Sequence, residues 1–355
     1  MGKKICILAG ARPNFVKVSP LVRAIQCHAN ATCLLVYAGR EDDPSLEQSL
    51  FEDLQIGRPQ FFLGVDSTSL NEITSQVTAA FDRFLDEHPV DVVIVVDDLA
   101  STMAAAIVTK KRGIRLAHLV AGTRSFNINM PKEINRLVID ALSDYLFTAG
   151  VRSTGIATRE QSEQSQTYMV GNILMDTLRF NYSRLRRPDI PSVSEDGYLV
   201  FTLNRKALLA DEENLQRMLA AMVEAASATP IIAPLRTDAA QVVSGLLSPA
   251  SCLSIVHPLG YLEFGWLTAH ARGVITDSGN VAEEATFNGV PCITLNNYTE
   301  HQETVTVGSN VLVGEDADRL RQEVARMVNG EWKKSALPDR WDGRTAERIL
   351  QILLN

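Results

Sequence analysis

The chain predicts an α/β protein built from two domains, each a parallel sheet with helices on both faces. Three observations predict it. Short apolar runs of four to seven residues alternate with amphipathic stretches along almost the whole chain, the signature of βα units. The length, 355 residues, is about twice that of a common domain. The alternation breaks once, at 183–197 (SRLRRPDIPSVSEDG), a charged stretch with two prolines, and then restarts. The break reads as a linker at the head of a second domain. Domains of 1–173 and 174–342 are therefore expected, with a final helix in 343–355 packing back on the first. Ligands of such sheets lie at the carboxyl ends of the strands, here facing a cleft between the domains.

The elements follow in order. Lys3–Leu8 is the first strand and Phe15–His28 an amphipathic helix. Thr32–Tyr37 is a strand, Pro44–Phe51 a helix and Ser69–His88 a long helix. Val90–Val96, apolar except for Asp91, is a buried strand, followed by the Ala-rich helix Leu99–Arg112. Arg115–Val120, Pro131–Ser143, Tyr145–Thr148, Gly155–Gln161 and Thr167–Val170 continue the alternation. After the break come the strand Tyr198–Thr202, the helix Asp211–Ser227, the strand Pro230–Pro234 and the helix Ala239–Leu247. Leu253–Val256 is a strand and Tyr261–Ala269 a helix. Gly273–Thr276, Val281–Phe287 and Cys292–Leu295 form a strand–helix–strand unit, and Leu320–Asn329 and Glu347–Leu354 are helices.

Composition narrows the function. Apolar content of 46% supplies an ordinary globular core, and a net charge of −8 argues against non-specific nucleic-acid binding. No apolar run approaches the ~20 residues of a membrane span. Lys3-Lys4 lead straight into a strand, too short for a secretory signal. The five cysteines are scattered without metal-ligand spacing, three of them within strand-like runs, as expected of free thiols in a reducing cytoplasm.

Four stretches carry chemistry. Asp277-Ser278-Gly279-Asn280 closes a strand and opens a helix, which places free N–H groups and a positive dipole end at the sheet edge. A phosphate fits there, and Glu283 or Glu284, in the first helical turn, could accept bonds from sugar hydroxyls. The plain alternative is that Asp277 or Ser278 serves only as an N-cap. In the first βα turn, Gly10 permits a tight turn and Pro13 suits a helix start, so Arg12 and Lys17 stand where cations hold a phosphate or merely decorate a surface turn. The absence of G-x-G-x-x-G argues against a dinucleotide fold. Asp97-Asp98 follow a buried strand; one acid is a fair N-cap and the other is free to enter the cleft. His118 in an apolar strand reads more readily as a packed histidine than as a catalyst. Glu133 and Arg136, three apart on a helix, share a face and could form a surface ion pair.

Taken together and in this order, the motifs resemble those of the non-hydrolysing UDP-N-acetylglucosamine 2-epimerases. The resemblance rests on Gly10-x-Arg12-Pro13-x-x-x-Lys17, His118-x-x-Ala121-Gly122-x-Arg124 and Pro131-x-Glu133-x-Asn135-Arg136. It continues through Val170-Gly171-Asn172 with Asp176, Thr276-Asp277-Ser278-Gly279 with Glu283-Glu284-Ala285, and Thr299-Glu300 with Glu303. It implies two Rossmann-like domains in the glycosyltransferase-B arrangement, a homodimer, no metal and no nicotinamide cofactor. The implied reaction eliminates UDP across C1–C2 of a UDP-N-acetylhexosamine and adds it back with C2 inverted, as in the assembly of cell-surface polysaccharides. By the same resemblance, Ser278, Gly279 and Asn280 face the diphosphate, Glu284 holds the ribose, and Arg12 and Lys17 face the phosphates or the leaving group. Arg136, Arg236 and His301 complete the expected binding set.

Several positions depart from the family pattern. The glutamate of its H-x-E-A-G motif is Val120 here, the first glutamate of P-E-E-x-N-R is Lys132, and the histidine of H-R-R-E is Asn204. Its Gly-Asp-Thr motif reads Asp97-Asp98-Leu99. A later histidine matches Arg236, and the arginine of its Glu-Arg-Pro-Glu loop matches His301. Asp98, Glu133, Arg205 and Lys17 are therefore the expected catalytic groups, with Lys132 as a further cation.

Overall fold

A computed structural model describes residues 2–193, 197–247 and 251–355. The chain forms two compact units, Met1–Asn181 with Asp339–Asn355, and Tyr182–Pro338. Residues 194–196 of the expected linker lie outside the described residues.

The first unit runs β1 (Lys3–Ala9), α1 (Arg12–Gln26), β2 (Ala31–Tyr37), α2 (Gln48–Leu54), β3 (Phe61–Phe62), α3 (Leu70–Glu87), β4 (Val92–Val96) and α4 (Ala100–Lys111). It continues with β5 (Arg115–Leu119), α5 (Pro131–Leu142), β6 (Tyr145–Thr148), α6 (Val151–Glu160), β7 (Gln166–Met169) and α7 (Ile173–Asn181). The second unit comprises β8 (Leu199–Thr202), α8 (Lys206–Ala210), α9 (Glu212–Ala226), β9 (Ile231–Pro234), α10 (Thr237–Leu246), β10 (Leu253–Val256) and α11 (Tyr261–Ala269). Then follow β11 (Gly273–Thr276), α12 (Gly279–Asn288), β12 (Cys292–Thr294), α13 (Gln302–Thr306), β13 (Asn310–Leu312) and α14 (Ala317–Val328). The terminal α15 (Thr345–Leu354) returns to the first unit and packs on α1 and α7.

The first sheet has seven strands in the order β3-β2-β1-β4-β5-β6-β7, and the second has six in the order β10-β9-β8-β11-β12-β13. Every strand pair described is parallel. In each sheet the strand order reverses once, between β1 and β4 and between β8 and β11. Such a reversal sends the flanking connections to opposite faces and opens a crevice at the carboxyl edge. All five residues of β4 are buried, as its unbroken Val/Ile run requires in a sheet covered on both faces. Asp91 falls outside that strand. Its carboxylate instead accepts the Lys4 N–H at 2.7 Å, at the amino edge of the sheet.

Helix starts moved most from expectation. α1 begins at Arg12 rather than Phe15, α6 at Val151 rather than Gly155, and α12 at Gly279 rather than Val281, because capping loops and glycines adopt helical geometry without an apolar residue to announce it. α2 starts later, at Gln48. The short elements β3, α8, α13 and β13 carry too few residues for a periodic signal, and α7 spans the boundary expected at 173/174 and lies wholly in the first unit.

Asp176 shows what that stretch does. Its carboxylate accepts the N–H groups of Thr345 and Ala346 at 3.0 and 2.8 Å, serving as an N-terminal cap for α15 from a distant helix. Burial pushes its carboxyl above the ordinary range even though these donors favour the charged form.

Candidate active site

The carboxyl edge of the first sheet is filled by an interlocked set of charges. After β1, Gly10 leads into α1. A Cβ at Gly10 would overlap the Ser101 hydroxyl of α4, so the turn passes too close for any side chain. Asn14, one turn into α1, accepts the N–H groups of Gly10 and Ala11 at 2.9 and 3.1 Å and fixes that turn. Its amide donates to Asp97 at 2.8 Å, and Lys17 donates to the other Asp97 oxygen at 2.6 Å. Arg12 is half-buried with no charged partner among the described residues.

Asp97 and Asp98 follow β4. Neither caps α4: the N-cap is Leu99, with no side-chain cap bond. Asp98 faces α5 instead, where Arg136 lies 2.5 Å and Lys132 3.6 Å from its carboxylate, and its carbonyl accepts from the Asn135 amide at 2.8 Å. Arg136 also reaches Glu133 at 3.1 Å, and both side chains are only 3% exposed. The pair is therefore buried rather than on the surface. Glu133 further accepts the N–H and hydroxyl of Ser125, both at 2.8 Å, and the Phe126 N–H at 3.0 Å. Burial disfavours its charge, but these donors prevail and hold the carboxyl below its ordinary value of 4.5. Four donations fill most of its lone pairs and tie down the turn before α5.

His118, on β5, is 1% exposed and satisfied at both nitrogens, by Asp140 at 2.5 Å and the Asp97 carbonyl at 2.9 Å. Asp140 also takes Arg124 at 2.7 Å and the Gly122 N–H at 3.0 Å. Its carboxyl is held below its ordinary value because these partners outweigh burial. His118 is thus the packed histidine that its apolar strand suggests. Val120, next along the chain, has φ of +74°, rare for a β-branched residue and a place where backbone strain is stored.

The carboxyl edge of the second sheet is arranged differently. Asp277 spans the reversal point: its carboxylate accepts the backbone N–H groups of Asn204 and Arg205, after β8, at 2.7 and 2.5 Å. Arg205 crosses to the loops after β12 and β13, donating to Asn296 at 2.9 Å, to the Leu295 carbonyl at 3.0 Å and to Glu315. One oxygen of Asp277 and the Arg205 Nε are buried without partners. Ser278 is the N-cap residue of α12 yet makes no side-chain cap bond, and Asp277 is engaged across the sheet, so neither residue acts as a side-chain cap here. Ser278, Gly279 and Asn280 are all partly exposed at that helix end.

Because α12 begins at Gly279, Glu283 and Glu284 sit in its second turn, not its first. Glu283 pairs with His301 at 2.9 Å. Glu284 is buried, and burial together with the neighbouring Glu283 charge pushes its carboxyl up to about 8. Arg236 is exposed at the start of α10, and Asn204 is exposed after β8. Among the described residues no cluster of three or more metal-ligating side chains occurs, and no helix is long and apolar enough to cross a membrane.

The expected residues thus fall into two groups: Arg12, Lys17, Asp98, Lys132, Glu133 and Arg136 at the first edge, and Asn204, Arg205, Arg236, Ser278, Gly279, Asn280, Glu284 and His301 in the second unit. Asn14, Asp140 and Asn296 escaped the sequence reading. Each acts through a bond to a loop distant in sequence, and only the acid–amide composition of the turns hinted at them.

The family model described as UDP-N-acetylglucosamine 2-epimerase matches residues 23–354. A UDP-N-acetylglucosamine 2-epimerase of Methanocaldococcus jannaschii is 32% identical over 365 residues, covering 99% of this chain and 98% of its own. The crystal structure of the M. jannaschii UDP-GlcNAc 2-epimerase in complex with UDP-GlcNAc and UDP superposes with a TM-score of 0.86 at 32% identity, covering 99% of both chains. A UDP-2,3-diacetamido-2,3-dideoxy-D-glucuronate 2-epimerase of Pseudomonas aeruginosa is also 32% identical, over 353 residues and 99% of each chain. Both units are Rossmann-like, the ordered motifs are present along the whole length, and the chain belongs to the non-hydrolysing UDP-N-acetylglucosamine 2-epimerase family.

Proposed function

We propose that this chain is a UDP-sugar 2-epimerase acting on a UDP-N-acetylhexosamine. The observation that carries the reading is the α12 N-terminus, which has no side-chain cap from Ser278, in a chain that matches an epimerase over 99% of its length. Backbone N–H groups at a helix N-terminus favour a diphosphate; in this reading Gly279 and Asn280 supply them and Ser278 adds its hydroxyl, its own N–H being donated to the Thr276 hydroxyl at 3.0 Å. Glu284 is placed to hold ribose hydroxyls; the protonated carboxyl can both donate and accept. Arg12, half-buried with no charged partner among the described residues, is suited to an anionic group such as a leaving diphosphate, and in the second unit Arg236 and His301 are suited to the same kind of charge.

In the elimination, a base takes the C2 proton while the C1–O bond breaks and UDP departs with the bonding pair. The C2–H electrons become the C1–C2 double bond of a glycal. In the return step a proton reaches C2 from the other face and the UDP oxygen rebonds to C1. No oxidant is consumed. Asp98, held by Arg136 and Lys132, is suited to one of these transfers. Glu133, with four donors already on it, acts in this reading by fixing α5 and Arg136.

Lys132 supports a finer reading of the sugar. By the resemblance it stands where the family has a glutamate, its side chain is 59% exposed, and among the described residues it pairs only with Asp98, at a long 3.6 Å. A cation there favours a sugar bearing a carboxylate. Incubation in deuterated water tests both levels. Deuterium at C2 and appearance of the 2-epimer establish the activity. A larger kcat/KM for a UDP-sugar uronate than for UDP-N-acetylglucosamine establishes the preference, and the reverse order removes it.

The five described cysteines are all free, as suits a reducing cytoplasm. Ile134 and Leu137, one turn apart and exposed on α5, are suited to a homodimer contact, which light scattering in solution tests. A role in supplying sugars for surface polysaccharide follows from the proposed product class.

A further inference from the structure

The acid missing at Val120 is matched by an acid gained beside it. β4 and β5 are neighbours, with Val96 paired to Leu119, so Asp97 and Val120 are the next residue on each strand. The Asp97 N–H donates to the Leu119 carbonyl at 3.3 Å. By the resemblance, glycine is expected where Asp97 stands and glutamate where Val120 stands. Asp97 has φ of +59°, in the left-handed region that glycine enters freely and that aspartate enters more readily than most other residues. Here it is held from three directions, by Lys17 and Asn14 on its carboxylate and by His118 on its carbonyl.

Asp97 and Asp98 are also held from opposite sides. Asp97 is gripped by α1 through Lys17 and Asn14, and Asp98 by α5 through Arg136 and Lys132. Each carboxylate keeps some exposure, 18% and 13% of the side chain. Inversion at C2 by elimination and re-addition needs proton carriers on two faces of one carbon.

We propose that Asp97 is one of the two C2 proton carriers of this enzyme, relocated from position 120 to the adjacent strand end, with Asp98 as the other; the proposal rests on the epimerase reading above. In one direction the Asp97 carboxylate takes the C2 proton as the C1–O bond breaks. Asp98, protonated, returns a proton to the opposite face as the UDP oxygen re-forms the bond at C1. Exchange with water resets both carboxyls, so the proton count is unchanged over a turnover. The Lys17 ammonium lies 2.6 Å from the Asp97 carboxylate as its counter-charge.

The test compares the unsubstituted protein, D97N, D97G and the double variant D97G/V120E, which restores the family residues at both positions. Each is incubated in deuterated water with UDP-N-acetylglucosamine and with UDP-2,3-diacetamido-2,3-dideoxy-D-glucuronate, and C2 exchange is followed by NMR. UDP affinity and thermal melting are measured alongside. The expected result is a loss of about 10²-fold or more in exchange for D97N and D97G, the range of a general acid–base group. UDP affinity should stay within about twofold, and D97G/V120E should regain at least about tenfold over D97G. Exchange by D97N within about threefold of the unsubstituted protein overturns the proposal and leaves the epimerase reading standing. So does a folded double variant no faster than D97G. If D97N does not fold, the D97G pair decides by the same criteria. Absence of exchange by the unsubstituted protein with both sugars overturns both readings.

Discussion

The two sheet edges use the same topological device to different ends. At the reversal between β1 and β4, cations and acids neutralise one another: Lys17 with Asp97, Arg136 with Asp98 and Glu133, Arg124 with Asp140. At the reversal between β8 and β11, Asp277 ties the two strand ends together, and the α12 N-terminus keeps no side-chain cap. The first edge is pre-organised around charge, as proton transfer requires; the second offers dipoles and donors, as anion binding requires. The departures from the family pattern fall at both edges, with Asn204, Arg236 and His301 in the second unit, but they spare the α12 helix start. Val120 and Lys132 alter the first edge, while Ser278, Gly279 and Glu284 keep the nucleotide motif in the second. Anion binding by backbone amides depends little on side-chain identity, whereas an acid–base set depends on it wholly.

The sharpest test of the contrast is to remove the arginine from each edge. Arg136→Met leaves Glu133 buried without its cation and Asp98 with only the more distant Lys132, and should cost about 3–5 kcal/mol, measured by denaturant unfolding. Arg205→Met removes a partner from Glu315, 37% exposed, and two neutral acceptors, and should cost about 1–2 kcal/mol. Equal losses would erase the difference between the edges.

Glu284 supplies a pH signature for the second edge. Its carboxyl keeps its proton to about pH 8 when folded, against an ordinary value of 4.5. The folded state therefore binds the extra proton between those values, and stability falls as pH rises through that window and levels above it. Glu284→Gln should flatten this slope, gaining on the order of 2–4 kcal/mol relative to the parent at pH 8.5. Parallel stability curves for the two proteins would show that Glu284 is already charged.

Gly279→Leu probes the open helix end directly. A Cβ there meets only His301, at an ordinary 3.6 Å, so the fold should tolerate the change. UDP affinity by calorimetry should drop about tenfold or more, near 1.4 kcal/mol, with little change in melting temperature. Unchanged affinity would place the diphosphate elsewhere.

The smallest effect is expected at Lys132, whose exposed, long pairing to Asp98 should contribute little. Lys132→Glu should move stability by no more than about 0.5 kcal/mol. It should also shift the kcat/KM ratio towards the uncharged sugar, and a fixed ratio would separate Lys132 from substrate choice.

Apolar periodicity and turn chemistry by themselves determined the α/β class and nearly every long element, because burial on both sheet faces demands unbroken Val/Ile runs such as β4. Spaced motifs likewise located the strand ends that carry the chemistry. Only the tertiary structure decided what those residues do there. Glu133 and Arg136 look like a surface pair at helical spacing, and burial under the 125–126 turn makes them an internal anchor. Asp97 and Asp98 look like one cap and one free acid, and packing between α1 and α5 makes them two carboxylates held from opposite sides. The register of β4 on β5 sets Asp97 beside Val120, 23 positions apart in sequence. Local preference is written in neighbouring residues, but the charge state and purpose of an acid depend on which distant donors the fold brings to it.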